Sequence, residues 1–291
     1  MKILSTILKL TPVFLVAACV TPATVKTGSN LQQVYAAAEA SLLEAGRMRT
    51  EVRPADAPYT YDDLVRNFIR VALYNEYRVS GGRFVEGQTE TFLRRWEGPV
   101  RVGTIFGDSL PDTGTRSDRV EVERYTARLA ALTGLNMRMS NPESANLLVV
   151  FLNEEQQTDC AEVLSDRYPD VSPAVVDAFR DSPRNIFCAA FGFTRAGQKG
   201  VYDHALILVK TEHSPFMLKS CIHEEMAQAM GLTNDSPDAR PSIFNDDEEF
   251  AFLTRHDEIL LQMLYDPRLS AGMESYEVRP LLPAICLLYT S

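Results

Sequence analysis

The chain has 291 residues, of which 45% are hydrophobic and 23% charged, and a formal net charge of −10. That is ample apolar material for one large domain or two small ones. The acidic balance argues against nucleic acid or anionic lipid as the principal partner.

Residues 1–18 read as an export signal. Lys2 and Lys9 supply positive charge, and the apolar run from Leu10 to Ala18 is too short for a stable membrane span. The stretch "LVAAC" ending at Cys19 resembles the bacterial lipobox. The resemblance implies a lipidated Cys19 at the mature N-terminus; the plainer alternative is a cleaved signal with a chance cysteine. Val20, rather than Asp, follows the cysteine, which by the usual sorting rule implies the periplasmic face of a Gram-negative outer membrane. Residues 19–30 then form a flexible tether.

Residues 31–90 are expected to be an N-terminal helical region. An Ala/Glu/Leu-rich run covers 31–50, and "TYDDLVRNFIRVALYNEYR" covers 60–78 with Thr60 as N-cap. "GGRFVEGQ" reads as a loop or short strand. A larger domain, 91–285, follows. Val100 and Val102 alternate in a strand. Residues 116–134 form a helix closed by Gly134. "ANLLVVFL" (145–152) is apolar throughout, the mark of a strand buried on both faces. Strands at 185–193 and 203–212 are expected to be neighbours. A helix opens at Ser214-Pro215, with Pro at its first position, and "LTRHDEILLQMLYD" (253–266) is a last helix. The order predicts an α/β or α+β sandwich.

Five cysteines are present. Cys286 opens "CLLYTS" (286–291), which resembles translated adaptor sequence and is set apart as a non-native tail. Cys160, Cys188 and Cys221 remain, allowing one disulfide in an oxidising compartment; the sequence does not choose the pair.

Chemistry concentrates in "SCIHEEMAQAMGLTND" (220–235). At about 100° per residue, Cys221, Glu224, Glu225 and Gln228 share one helix face. Leu218, Ile222, Met226, Ala229 and Met230 form the apolar face, and His223 points away from the carboxylates. The stretch resembles the metzincin and matrixin signature H-E-x-x-H-x-x-G-x-x-H in register. Glu224, Gln228 and Asn234 stand where that family has zinc-binding histidines. Glu225 stands at the catalytic glutamate and Gly231 at the turn glycine, with Asp235 after the last ligand position. Phe244 stands in the place of the Met-turn methionine, and residues 253–266 look like the matrixin closing helix. The resemblance, over about residues 92–267, implies a zincin-like mixed sheet preceded by helices. The same pattern resembles an uncharacterised bacterial envelope family, a domain of unknown function that keeps E-E-x-x-Q.

Zinc favours imidazole and thiolate, so Glu224, Gln228, Asn234 and Asp235 make a poor zinc set. No cofactor is favoured; the donor types suit a hard divalent cation such as calcium. Adjacent Glu224 and Glu225 are expected to splay apart. The bland alternative is a polar network joining them to Gln228, Asn234, Asp235 and "NDDEE" (245–249), itself read as a solvated turn. His256 and Asp257 are likewise read as a solvated face. The leading expectation is a lipid-anchored, non-catalytic protein that binds or scaffolds a peptide or envelope polymer, without nucleic acid. Its rival is a metal-dependent peptidase with Glu225 as general base. A third reading is a structural protein whose cleft the N-terminal helices close.

Overall fold

Buried strand β5 (Leu147–Leu152, "LLVVFL") organises the fold. Leu147, Val149 and Phe151 enter one core, and Leu148, Val150 and Leu152 enter another across the sheet. A strand alternates its side chains between faces, so a strand covered on both sides must be apolar throughout. The computed structural model describes residues 29–81, 83–107, 112–167 and 171–290. The expected signal and most of the tether, with Cys19, lie outside them.

The chain begins with helices α1 (Ser29–Glu44) and α2 (Tyr61–Ala72) and a hairpin of β1 (Tyr74–Ser80) and β2 (Arg83–Glu90). Thr60 caps α2 in a capping box with Asp63, as its sequence predicts. The predicted helix over 60–78 is too long: from Tyr74 the chain turns to strand and pairs antiparallel with β2. Tyr74, Tyr77 and Val79 favour a pleated backbone, and the partner strand comes from beyond the helical spacing.

The main sheet follows, with β3 (Val100–Phe106), α3 (Asp112–Thr133), β4 (Met137–Met139), β5, α4 (Glu154–Arg167), α5 (Pro173–Arg180), β6 (Cys188–Thr194) and β7 (Tyr202–Lys210). Its order is β4-β3-β5-β7-β6. The β4–β3–β5–β7 pairs are parallel, and β6 alone runs antiparallel, beside β7. The neighbouring strands expected at 185–193 and 203–212 are thus present. Gly134 ends α3 at φ 71°. Helices α4 and α5 were not expected; they cover the second core with Cys160, Leu164, Val176 and Phe179.

The first core carries α2, α3, α6 (Pro215–Gln228), α7 (Arg255–Leu264), α8 (Ser275–Val278) and α9 (Leu282–Thr290). Leu64 and Phe68 of α2 belong to it, so the expected division at residue 90 crosses a continuous core. Residues 286–290 continue α9, and Cys286 is buried against α2. No helix among the described residues is long and apolar enough to cross a membrane.

His256 and Asp257 correct the expectation of a solvated face: both are 0% exposed. Asp257 accepts from Thr254 N and Oγ1 (2.9 and 2.8 Å), from Ile243 N (3.1 Å) and from Ser242 Oγ. His256 Nε2 meets Asn67 Nδ2 at 3.0 Å, while its Nδ1 lies a loose 3.4 Å from Asp257. The start of α7 is buried because a loop and α2 supply its polar partners, which spacing along one helix does not reveal.

Candidate carboxylate-lined cleft

Helix α6 is built in the way its sequence suggests. Ser214 caps it by accepting from Met217 N, and Pro215 takes the first helical position. Its apolar face, Leu218, Ile222 and Met226, enters the core below the sheet. Its far end is fixed by residues 94–96 and by Tyr265. Trp96 Nε1 donates to Ala229 O at 2.9 Å, and Tyr265 Oη donates to Met230 O at 2.8 Å. Gly231 stands at φ 119°, where a Cβ would come 2.1 Å from the Arg94 carbonyl oxygen. That close approach explains the glycine at the turn.

His223 leaves the helix on the side away from the carboxylates, as the helical spacing requires. It is buried against α3, with Nε2 2.9 Å from Glu121 Oε1 and its ring stacked on Tyr125. It is not a ligand for anything bound at Glu224.

The opposite face opens into a cleft of about 940 Å³. Helix α6 and strand β6 meet there, joined by the Cys188–Cys221 disulfide, whose Cα atoms are 5.8 Å apart. This selects one pair from the three candidates; Cys160 sits buried on α4, outside the bridge. Segments of β1, α5, the turn after α6 and residues 245–248 complete the wall. Strand β6 is a sheet edge: among the described residues no strand pairs with its other side, and residues 188–192 border the cleft.

Among the described residues, eight carboxylates line this space: Glu76, Asp177, Asp181, Glu224, Glu225, Asp235, Asp246 and Glu248. No Lys, Arg or His is among the described lining residues. Arg47 reaches Asp247 at the rim and is the cation that eases Glu248. Carboxylate oxygens of Glu224 and Glu225 lie within 4.8 Å of each other. Despite the expected splay, the two side chains bring their oxygens this close. Burial, then repulsion by the neighbouring carboxylates, pushes Glu224, Glu225 and Asp235 well above the usual carboxylate range, and Glu248 upward. Glu225 is only 4% exposed and its Oε2 has no hydrogen-bond partner.

The predicted site divides. Glu224, Glu225, Gln228 and Asp235 come together, with Gln228 Nε2 donating to Asp235 Oδ1 at 3.3 Å. Asn234 does not join them. It is 0% exposed and turned toward α2, its Nδ2 donating to Arg70 O at 2.9 Å. The residue in register with a third histidine thus holds the turn to α2, and Asp235 faces the cleft. Phe244 is buried in the core. The "NDDEE" segment corrects its expected role: Asn245, Asp246 and Glu248 line the cleft. Glu248 sits at φ 59°, a costly backbone region for a side chain of this kind. Glu76, Asp177 and Asp181 were missed. Asp177 lies on α5 and Asp181 caps its C-terminal end; that helix begins "SPAV", a readable start with Pro at its first position.

The only three-group metal arrangement found among the described residues is Cys188, Glu224 and Glu225. Cys188 is in the disulfide, which removes its thiolate. Two carboxylates remain, a set that a hard cation accepts only with water or other oxygens completing its shell. As a chemical unit the pair can also share a proton.

A mixed α/β sheet and an acidic cleft between its edge strand and a helix thus define the molecule. Residues 61–284 match the family described as a protein of unknown function (DUF2927). The chain belongs to that family, and the match spans every residue of the cleft. No curated protein matches the chain.

Proposed function

We propose that this chain is an exported, lipid-anchored envelope protein that holds an extended peptide or envelope polymer in the cleft without cleaving it. One observation carries the reading: the open edge of β6 runs along the cleft. An extended chain laid there gains main-chain hydrogen bonds from the strand and side-chain pockets from α6, the recognition mode of strand addition. None of the residues of α1 lines the cleft, which weighs against closure by that helix. The disulfide supports export, since such bonds persist in oxidising compartments, and Cys19 supplies the anchor. The metzincin resemblance gives the cleft its expected orientation, and the donor set speaks against zinc.

The rival peptidase reading keeps one favourable observation, carboxylate oxygens of Glu224 and Glu225 within 4.8 Å of each other, close enough to couple their titration. Hydrogen exchange with and without a short extended peptide separates the two. Binding is expected to slow exchange at residues 188–192 while the peptide remains intact. Cleavage of the peptide, lost in Glu225→Gln, would sink the binding reading. Acyl-chain labelling that survives Cys19→Ala would remove the anchor.

A further inference from the structure

The cleft has a property that strand addition does not require. Its charge is of one sign, and its most buried carboxylate has an oxygen with no hydrogen-bond partner. Glu225 lines the cleft, is 4% exposed and has no hydrogen-bond partner at Oε2, and the described lining residues contribute no cation. A buried carboxylate oxygen without a donor is costly. Such a group calls for an explanation, and beside an open cleft a ligand that completes it is a direct one.

Two kinds of ligand bring positive charge. A divalent ion would engage the oxygens of Glu224 and Glu225, which are within 4.8 Å of each other. It would leave six of the eight carboxylates unused. It would also occupy a small part of about 940 Å³, since even a water molecule takes only about 30 Å³. The carboxylates are spread over β1, α5, α6, the turn at Asp235 and the segment at 246–248. That distribution matches a chain with several cationic groups better than one ion. The lining also offers apolar surface at Ala189, Phe191, Tyr202 and Met217, where the methylene stems of Lys and Arg can lie.

We infer that the occupant is a basic peptide, with Lys or Arg side chains directed at Glu224 and Glu225. This rests on the strand-addition reading above and names its ligand class. Alternate residues of an added strand face the same way, so a sequence alternating basic and apolar residues fits best. The raised pKa values of Glu224, Glu225, Asp235 and Glu248 add a signature. Glu76, Asp177, Asp181, Glu224, Glu225, Asp235, Asp246 and Glu248 all face the space, with Arg47 at the rim. A cation entering displaces protons from the raised carboxyls.

The test is calorimetric titration of the intact protein with two probes: a short Lys-Val alternating peptide and the same peptide with Gln for Lys. The Lys peptide is expected to bind at least about tenfold more tightly, to weaken as salt rises, and to release protons, read from the dependence of heat on buffer. Glu224→Gln/Glu225→Gln should remove that preference while the Gln peptide binds as before. Equal binding of both peptides to the wild type overturns the charge inference and leaves strand addition standing. Binding of neither peptide overturns both. Stoichiometric calcium binding, lost in the double variant and unaccompanied by Lys-peptide binding, assigns the carboxylates to a metal and overturns the inference.

Discussion

Two carboxylates buried on neighbouring helices illustrate opposite solutions. Asp257, at the start of α7, is 0% exposed and accepts from Thr254, Ile243 and Ser242. Glu225, near the end of α6, is nearly as buried, yet one oxygen has no donor and its neighbours are other acids. Desolvation is similar; the supply of donors differs. A buried charge surrounded by donors is a structural joint, and one surrounded by acceptors waits for something from outside. The lesson is that burial alone does not separate the two. The hydrogen-bond account around each group does.

The largest effect should come from breaking the satisfied side. Asp257→Ala leaves several buried donors unmet and should cost about 4 kcal/mol, measured as a fall in the denaturant midpoint. A loss below about 1 kcal/mol would erase the distinction drawn between the two sites. Removing the bridge with Cys188→Ala/Cys221→Ala should cost about 3 kcal/mol. Hydrogen exchange should then quicken at β6 and leave the start of α7 protected.

Glu225→Gln should do the opposite and stabilise the protein by roughly 1 kcal/mol near pH 8, read by thermal melting. The sign follows from the direction of its pKa. Folding raises it above 4.5, so folding favours the protonated form. Its contribution is present below pH 4.5 and is lost as pH rises through the folded-state value. The gain from the substitution should therefore shrink toward acid; a gain constant with pH would contradict the assignment. The smallest effect concerns His213, held neutral by burial with its pKa lowered to about 4 from 6.5. The unfolded chain takes up its proton first as pH falls from 6.5 to 4, so stability drops across that window. His213→Phe should flatten this acid limb by about 1 kcal/mol.

Much of the frame was legible in the sequence. The unbroken apolar run of β5, the cap at Thr60, the stop at Gly134 and the facing of α6 follow from local periodicity and backbone chemistry. The direction of His223 did too, because helical geometry fixes it. What escaped depends on segments distant in the chain. The hairpin β1–β2 needed a partner to compete with the helical spacing of 74–78. Helix α4 is largely polar, with Cys160, Ala161 and Leu164 as its buried stripe, so its amphipathic signal is thin. Asn234 was placed by register with a zinc-site pattern, but its side chain is turned by the Arg70 carbonyl on α2. The acidity of the cleft is the clearest such case. Its eight carboxylates come from five separate stretches of chain, and no single window shows them together.

The Cys188–Cys221 bond has a mechanical consequence. It pins strand β6 to helix α6, so these two walls move as one piece and the strand cannot slide along the helix to admit a guest. The facing wall is free of that bond, and there β1 contributes Asn75, Glu76 and Tyr77 to the cleft. Gln88 Nε2 of β2 donates to the Asp235 carbonyl at 3.1 Å, and Thr233 Oγ1 donates to the Tyr74 carbonyl of β1 at 3.1 Å; both bonds join hairpin and turn. The covalent bond thus makes the β6–α6 side of the cleft its fixed jaw.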